Sequence, residues 1–154
     1  MIRIEIPYRK PESHISMKTG KRYTKPFNGL PISDNRWSAG WMKHWDKKYY
    51  KDMWESVLKS WMFQNSKLIK EAKIYTPIRI KFIIYKAGIE NDSDRLRTPE
   101  ITDILLRLFG LVEKKGKIRR VRDTKDILPE RAQVETVSVK HFKEQKTIIE
   151  IQSI

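Results

Sequence analysis

The sequence predicts an α+β fold in a single domain over residues 1–154. It combines a small mixed sheet, one long Trp-rich helix and one short helix that follows a D-x-D strand. Three observations predict it. Ile2, Ile4 and Ile6 alternate with Arg3 and Glu5, and Ile78, Ile80, Phe82 and Ile84 recur at every second residue with Arg79 and Lys81 between the first three, the period of a half-buried strand. Trp41, Trp45, Tyr49, Met53, Val57 and Trp61 recur every four residues, the period of a helix. Ile101, Ile104, Leu105 and Leu108 fall at i, i+3, i+4 and i+7 between Thr98-Pro99 and Gly110, residues that suit a helix start and a helix end.

Composition narrows the function. The chain has 33 Lys and Arg against 19 Asp and Glu, a formal net charge of +14. That excess points to a polyanionic partner, either nucleic acid or an acidic membrane surface. The apolar runs are too short to span a bilayer, and MIRIEIPYRK carries no signal-peptide apolar region. The expectation is therefore a cytoplasmic nucleic-acid binder with no membrane and no small-molecule cofactor. The chain has no cysteine, which excludes disulfides, zinc-thiolate fingers and thiol nucleophiles. His14, His44 and His141 are scattered and form no H-x₃₋₅-H pair for structural zinc.

Taken in order, the first strand ends at Pro7 and a long polar stretch covers residues 8–34. It holds Arg9, Lys10, Lys18, Lys21, Arg22 and Lys25, with Tyr8, Tyr23 and Phe27 interleaved and a turn at Thr19-Gly20. This reads as a basic arm for a phosphate backbone, its aromatics able to stack on bases, against the plainer reading of a solvated loop. The long helix covers residues 37–64, starting later if Gly40 delays it. Met42, Tyr50, Trp54 and Leu58 widen its apolar stripe, and Lys43, Lys47, Lys48, Lys51 and Lys59 take the other side. So broad a stripe is core, with part of it suited to a second subunit. Residues 65–74 read as a charged continuation or linker. The strand over residues 78–84 then runs toward Gly88 and an acidic cluster.

After Gly110 come Lys114, Lys115, Lys117, Arg119, Arg120 and Arg122, where Ile118 and Val121 suggest a strand. These cations suit phosphate binding or a charge-protected edge strand. Residues 123–131 read as a polar loop, and residues 134–142 and 147–151 as a hairpin across Lys143-Glu144-Gln145.

The chemistry centres on residues 91–121. Asp92 and Asp94 lie two apart, so an extended segment sends both carboxylates to one side. Asp103 lies off the apolar stripe of the following helix, on the flank shared by Glu100 and Arg107. Two same-side carboxylates and a third on a neighbouring helix suit a hard divalent cation such as Mg²⁺. The bland alternative is a common D-x-D with an Asp103–Arg107 surface ion pair.

The order of elements, with Asp92-Ser93-Asp94-Arg95-Leu96, the helix bearing Asp103 and then Phe109-Gly110-Leu111-Val112-Glu113, resembles the RusA family of Holliday junction resolvases over most of the chain. The resemblance implies a small dimeric α+β protein that cuts branched DNA, four-way junctions above all, with Mg²⁺ held by aspartates and replaceable by Mn²⁺. Asp92 and Asp94 then match the first aspartate pair of the family's D-x-D-N-x-x-K, and Asp103 the helical aspartate, displaced by one residue. The family's Asn is Arg95 here, its Lys position holds Thr98 with Arg97 nearest, and its later Asp-Asp pair falls on Lys114-Lys115. Glu113 is the carboxylate beside that pair. The resemblance implies either that Glu113 completes the site or that the chain binds junctions without cutting them. Arg95, Arg97, Lys114 and Lys115 are the candidates for neutralising phosphate charge. A general basic nucleic-acid-binding module, its acidic cluster purely structural, is the remaining alternative.

Overall fold

The computed structural model describes residues 1–11, 13–24, 27–38, 42–88, 95–111 and 125–154. Its elements in order are β1 (Ile2–Pro7), β2 (Ser13–Ile15), β3 (Arg22–Thr24), α1 (Asp34–Ser38), α2 (His44–Gln64), α3 (Ser66–Ala72), β4 (Ile78–Ala87), α4 (Pro99–Leu108), β5 (Gln133–Val139) and β6 (Lys146–Ser153). A 3₁₀ turn, Phe142–Glu144, joins the last two strands.

Four strands form one mixed sheet in the order β1-β6-β4-β5. β6 pairs antiparallel with β1 on one side and with β4 on the other, and β5 runs parallel to β4. The hairpin expected of the last two strands is therefore absent, because they flank β4 on opposite edges and do not pair. A central strand is covered on both faces, and Thr147, Ile148 and Ile149 of β6 are all fully buried in succession. A parallel pair needs a long crossover, usually through a helix, and α4 lies in the connection from β4 to β5.

One face of the sheet carries the core. Ile2, Ile4, Ile6, Ile78, Ile80, Phe82, Ile84, Ile149 and Ile151 join Tyr50, Trp54 and Leu58 of α2 and Ile101 and Leu105 of α4 in one buried cluster. The long helix begins at His44, not Trp37, and Asp46 caps it by accepting the Lys43 backbone N–H at 3.3 Å. Trp37 belongs to the separate short helix α1. The phase of α2 also differs from the four-residue row read in the sequence. Tyr50, Trp54 and Leu58 are its buried line, while Tyr49, Met53, Val57 and Trp61 are half-buried and Trp45 is 63% exposed. Of the continuation or linker expected over residues 65–74, the continuation is what forms, since α3 follows α2 after Asn65 alone and occupies most of them.

The polar stretch after β1 divides in two. β2 and β3 form a small antiparallel hairpin, and the chain beyond it contributes Phe27, Leu30 and Ile32 to the core. Phe27 is no base-stacking residue: it packs edge-on against Tyr50 and Trp54. α4 follows its sequence signals closely, and Ile101, Ile104 and Leu105 are buried with Leu106 beside them. Thr98 holds the N-cap position, but its side chain makes no cap bond; its carbonyl accepts both the backbone N–H and the hydroxyl of Thr102. At the other end Leu111 N–H reaches the Leu106 carbonyl and Gly110 N–H the Arg107 carbonyl, with Gly110 at φ +68, a Schellman closure. The opposite face of the sheet is laced with ion pairs: Arg3–Glu150, Lys146–Glu5, Lys81–Glu135 and Arg79–Glu130.

Gly29 joins the polar stretch to the sheet. It has φ +85, its carbonyl accepts the buried Thr147 hydroxyl at 2.9 Å, and an added Cβ would stand 2.8 Å from the Pro7 carbonyl oxygen. Gly20 has φ +66 with open space around it. Gly20→Ala is expected to lose about 1 kcal/mol, the cost of a left-handed backbone alone, and Gly29→Ala at least about 2 kcal/mol. Urea unfolding of both variants checks this; equal losses would show that the Pro7 carbonyl imposes nothing.

Candidate functional site

β4 delivers the chain to Gly88, at φ +104, and the next described residue is Arg95. There the backbone is clipped to the segment before α1. The Arg95 carbonyl accepts the Asp34 N–H at 2.8 Å, Arg97 N–H reaches the Ile32 carbonyl at 2.7 Å, and Leu96 forms a bridge with Ser33. This clip fixes the entrance to α4 beside α1. Tyr50 supports it from α2, where its hydroxyl accepts the Ile32 N–H at 2.9 Å. Burial pushes the Tyr50 phenol far up, so it stays neutral.

Arg97 is the centre of the resulting cluster. Its Nε donates to both Glu100 carboxylate oxygens, at 2.8 and 2.9 Å, and its guanidinium reaches Asp34 Oδ1 at 3.3 Å. The guanidinium carbon lies 5.2 Å from the centre of the Trp37 ring. Partial burial works against the charge, but the hydrogen bonds and charges of Glu100, then of Asp34, outweigh it and hold the Arg97 pKa above its ordinary value. Two lysines of α2 meet the same indole, Lys47 at 5.0 Å and Lys51 at 5.9 Å.

Asp103 lies one turn along α4 from Glu100, exposed on the helix surface. Its carboxyl is pushed up to about 6, first by the desolvation that the surrounding protein imposes and then by the Glu100 charge, with Lys51 and Arg107 pulling the other way. The ion pair expected from Asp103 to Arg107 is replaced by a bond across helices, because Arg107 reaches Glu55 of α2 at 2.9 Å.

The other candidates from the sequence divide by location. Arg9, Lys10, Lys18, Lys21 and Arg22 are exposed along the approach to the β2–β3 hairpin and on the hairpin itself, and Arg95 is exposed beside the clip. Lys25, Asp92, Asp94, Glu113, Lys114, Lys115, Lys117, Arg119, Arg120 and Arg122 lie outside the described residues, as do Gly40 and Trp41. Asp103 is the one proposed metal ligand that is described. As a carboxylate facing cations and another carboxylate, it fits an oxygen donor to a hard divalent ion. Glu100 does not, because both its oxygens are held by Arg97. Among the described residues no three His, Asp or Glu side chains form a metal-holding group.

Sequence reading missed Asp34, Trp37, Lys47 and Lys51 as site residues. The Arg97-x-x-Glu100 spacing signals an ion pair, but nothing in the order of residues signals that Asp34, sixty-three positions earlier, closes it. The class of protein defined is an α+β domain in which a long helix carrying a buried Trp packs on a four-stranded mixed sheet, with a charged cluster where α1, α2 and α4 meet. No family model, curated protein or solved structure matches the chain. Among the described residues no helix is long and apolar enough to cross a membrane.

A raised carboxyl pKa sets the sign of a pH effect. Between about pH 4 and pH 6 the folded chain keeps a proton on Asp103 that the unfolded chain has released, so stability falls as pH rises through this window. Asp103→Asn should remove that fall, which exposure keeps small. Urea midpoints of both proteins at the two ends of the window check this, and identical pH slopes would show that Asp103 titrates normally.

Proposed function

We propose that the protein is a metal-dependent endonuclease that cuts branched DNA, in the manner of the RusA resolvases its sequence resembles. One observation carries the reading. Asp103 stands exposed within reach of the charges of Lys51, Arg107 and a second carboxylate, Glu100, on the helix that follows the carboxyl end of β4, and the link between strand and helix bears Asp92 and Asp94. The carboxyl end of a strand in a parallel pair is a favoured position for ligands, and rigid elements on both sides suit a site that must hold its shape.

In this reading Asp92, Asp94 and Asp103, with Glu113, would hold Mg²⁺ or Mn²⁺. Such an ion, when bound, supplies Lewis-acid polarisation of the scissile phosphate and a more acidic water. The chain's own residues do the rest. Arg97 fixes the start of α4 against α1, so that Asp103 is presented at one angle. Partial desolvation and then the Glu100 charge raise the proton affinity of Asp103, and a neighbouring positive charge would return it to the carboxylate form. Arg95, Lys114 and Lys115 would neutralise phosphate charge at the cut, while residues 117–122 and the β2–β3 hairpin would bind duplex backbone without reading sequence. A homodimer would present two such sites to symmetry-related strands of a four-way junction.

A second reading has a specific basis in the sequence. Lys114-Lys115 stand where the resembled family has aspartates, and lysines bind phosphate but not Mg²⁺. The protein would then recognise branched DNA without cutting it.

The test is cleavage of a labelled four-way junction and a matched duplex in Mg²⁺ and in Mn²⁺. The expected outcome is paired nicks near the crossover, with at least a roughly hundredfold loss in Asp94→Asn and in Asp103→Asn. Tight junction binding without nicks supports the second reading. No preference for the junction and no nicks would remove both.

A further inference from the structure

The cations around Trp37 are unevenly matched. Arg97 is compensated by Glu100 and Asp34, and Arg107 by Glu55. Lys47 and Lys51 are not placed this way. Among the described residues they direct their ammonium groups at the face of the Trp37 ring, from 5.0 and 5.9 Å, and not at a carboxylate. They are four residues apart on α2, about 6 Å along its axis, so they are like charges on adjacent turns. Arg97 brings a third cation to the same indole. A ring quadrupole attracts each cation but does not relieve their mutual repulsion. An anion between the two lysines would do so.

Lys59 of the same helix shows the usual alternative, since it pairs with Glu55 at 3.5 Å. Lys47 is also half-buried, which restricts where its charge can go, and the Lys51 charge acts on Asp103. Through Lys51 the pair is tied to the one described carboxylate of the candidate site.

We infer that Lys47 and Lys51, held over Trp37, bind a backbone phosphate of the nucleic acid and set it beside Asp103. The inference rests on the nucleic-acid reading above and adds two residues that the sequence places only on a solvent face of the long helix. The class of ligand is a phosphodiester: a point charge with several acceptor oxygens matches two ammonium groups that have donors to spare. Trp37, buried in the floor, makes these two positions more rigid than a free surface lysine.

The test compares Lys47→Gln/Lys51→Gln with Lys48→Gln/Lys59→Gln, which removes the same charge from the same helix. Affinity for the labelled four-way junction is read by fluorescence anisotropy over a range of salt. The first variant should bind roughly tenfold more weakly and lower the slope of log K against log salt by about 2, one for each lysine that no longer neutralises phosphate. The control should change affinity less than about threefold. Equal effects of the two variants would show that only net charge matters and would overturn the inference. If the first variant melts early, the single change Lys51→Gln against Lys51→Arg decides, because only the former should weaken binding.

The cutting assay separates this inference from the nuclease reading. Cutting that continues with unchanged affinity in Lys47→Gln/Lys51→Gln overturns the role of the lysine pair and leaves the nuclease reading standing. Binding that depends on the pair, with no cutting by the unaltered protein, does the reverse. No binding by the unaltered protein overturns both.

Discussion

The position of Arg97 is the constraint on which the rest of the cluster depends. A guanidinium is always charged and its donors point in a fixed fork, so partial burial requires partners in fixed places. Glu100 supplies them from one turn along α4, Asp34 from the start of α1, and the face of Trp37 covers the planar surface that remains. Two elements distant in sequence, α1 and α4, are thereby held at one point. The backbone clip from Asp34 to Arg95 and from Arg97 to Ile32 acts in the same direction. Removing the guanidinium would leave two carboxylates facing each other without compensation, and that asymmetry, more than the energy of any one bond, keeps the arrangement single-valued.

Much of the fold was legible in the sequence because periodicity is a local property. β1, β4 and α4 each present a clean apolar face to one side, and each starts where its pattern puts it. Strand partners are not a local property. Little in β5 and β6 separates two strands that pair with each other from two that flank a third. The one sign was the run Thr147-Ile148-Ile149, buried without alternation as a central strand is. The phase of α2 failed for a different reason. Two adjacent rows of aromatics satisfy the helical period equally well, and only the position of the sheet decides that Tyr50, Trp54 and Leu58 face it while Trp45 does not.

The candidate site was legible in part. Asp103 could be placed on the polar flank of α4 from spacing alone, and its neighbours Glu100 and Arg107 follow from the same helix. Its other neighbours could not be read. Lys51 comes from α2, and the partners of nearby Arg97, Asp34 and Trp37, come from a short helix that no periodic pattern announces. The polar stretch before that helix carries Phe27, Leu30 and Ile32, all buried. Average polarity hides isolated anchors, because single apolar residues between Pro, Gly and Asn carry no period at all.

The net charge of +14 is more informative once its distribution is considered. On the outer face of the sheet Arg3, Lys81, Arg79 and Lys146 each have a glutamate partner, so that face attracts a polyanion weakly. The hairpin cations and the lysines over Trp37 lie elsewhere, and among the described residues Lys47 and Lys51 turn to the ring and not to a carboxylate. Attraction over distances near the Debye length depends on such imbalance and not on the total. Asp103 feels one of these lysines, Lys51, and it would repel phosphate if fully ionised and unaccompanied. Desolvation and then Glu100 raise its proton affinity, and Lys51 and Arg107 oppose that shift, so the charge of this carboxylate is set by its surroundings, α2 included, and not by its own helix alone.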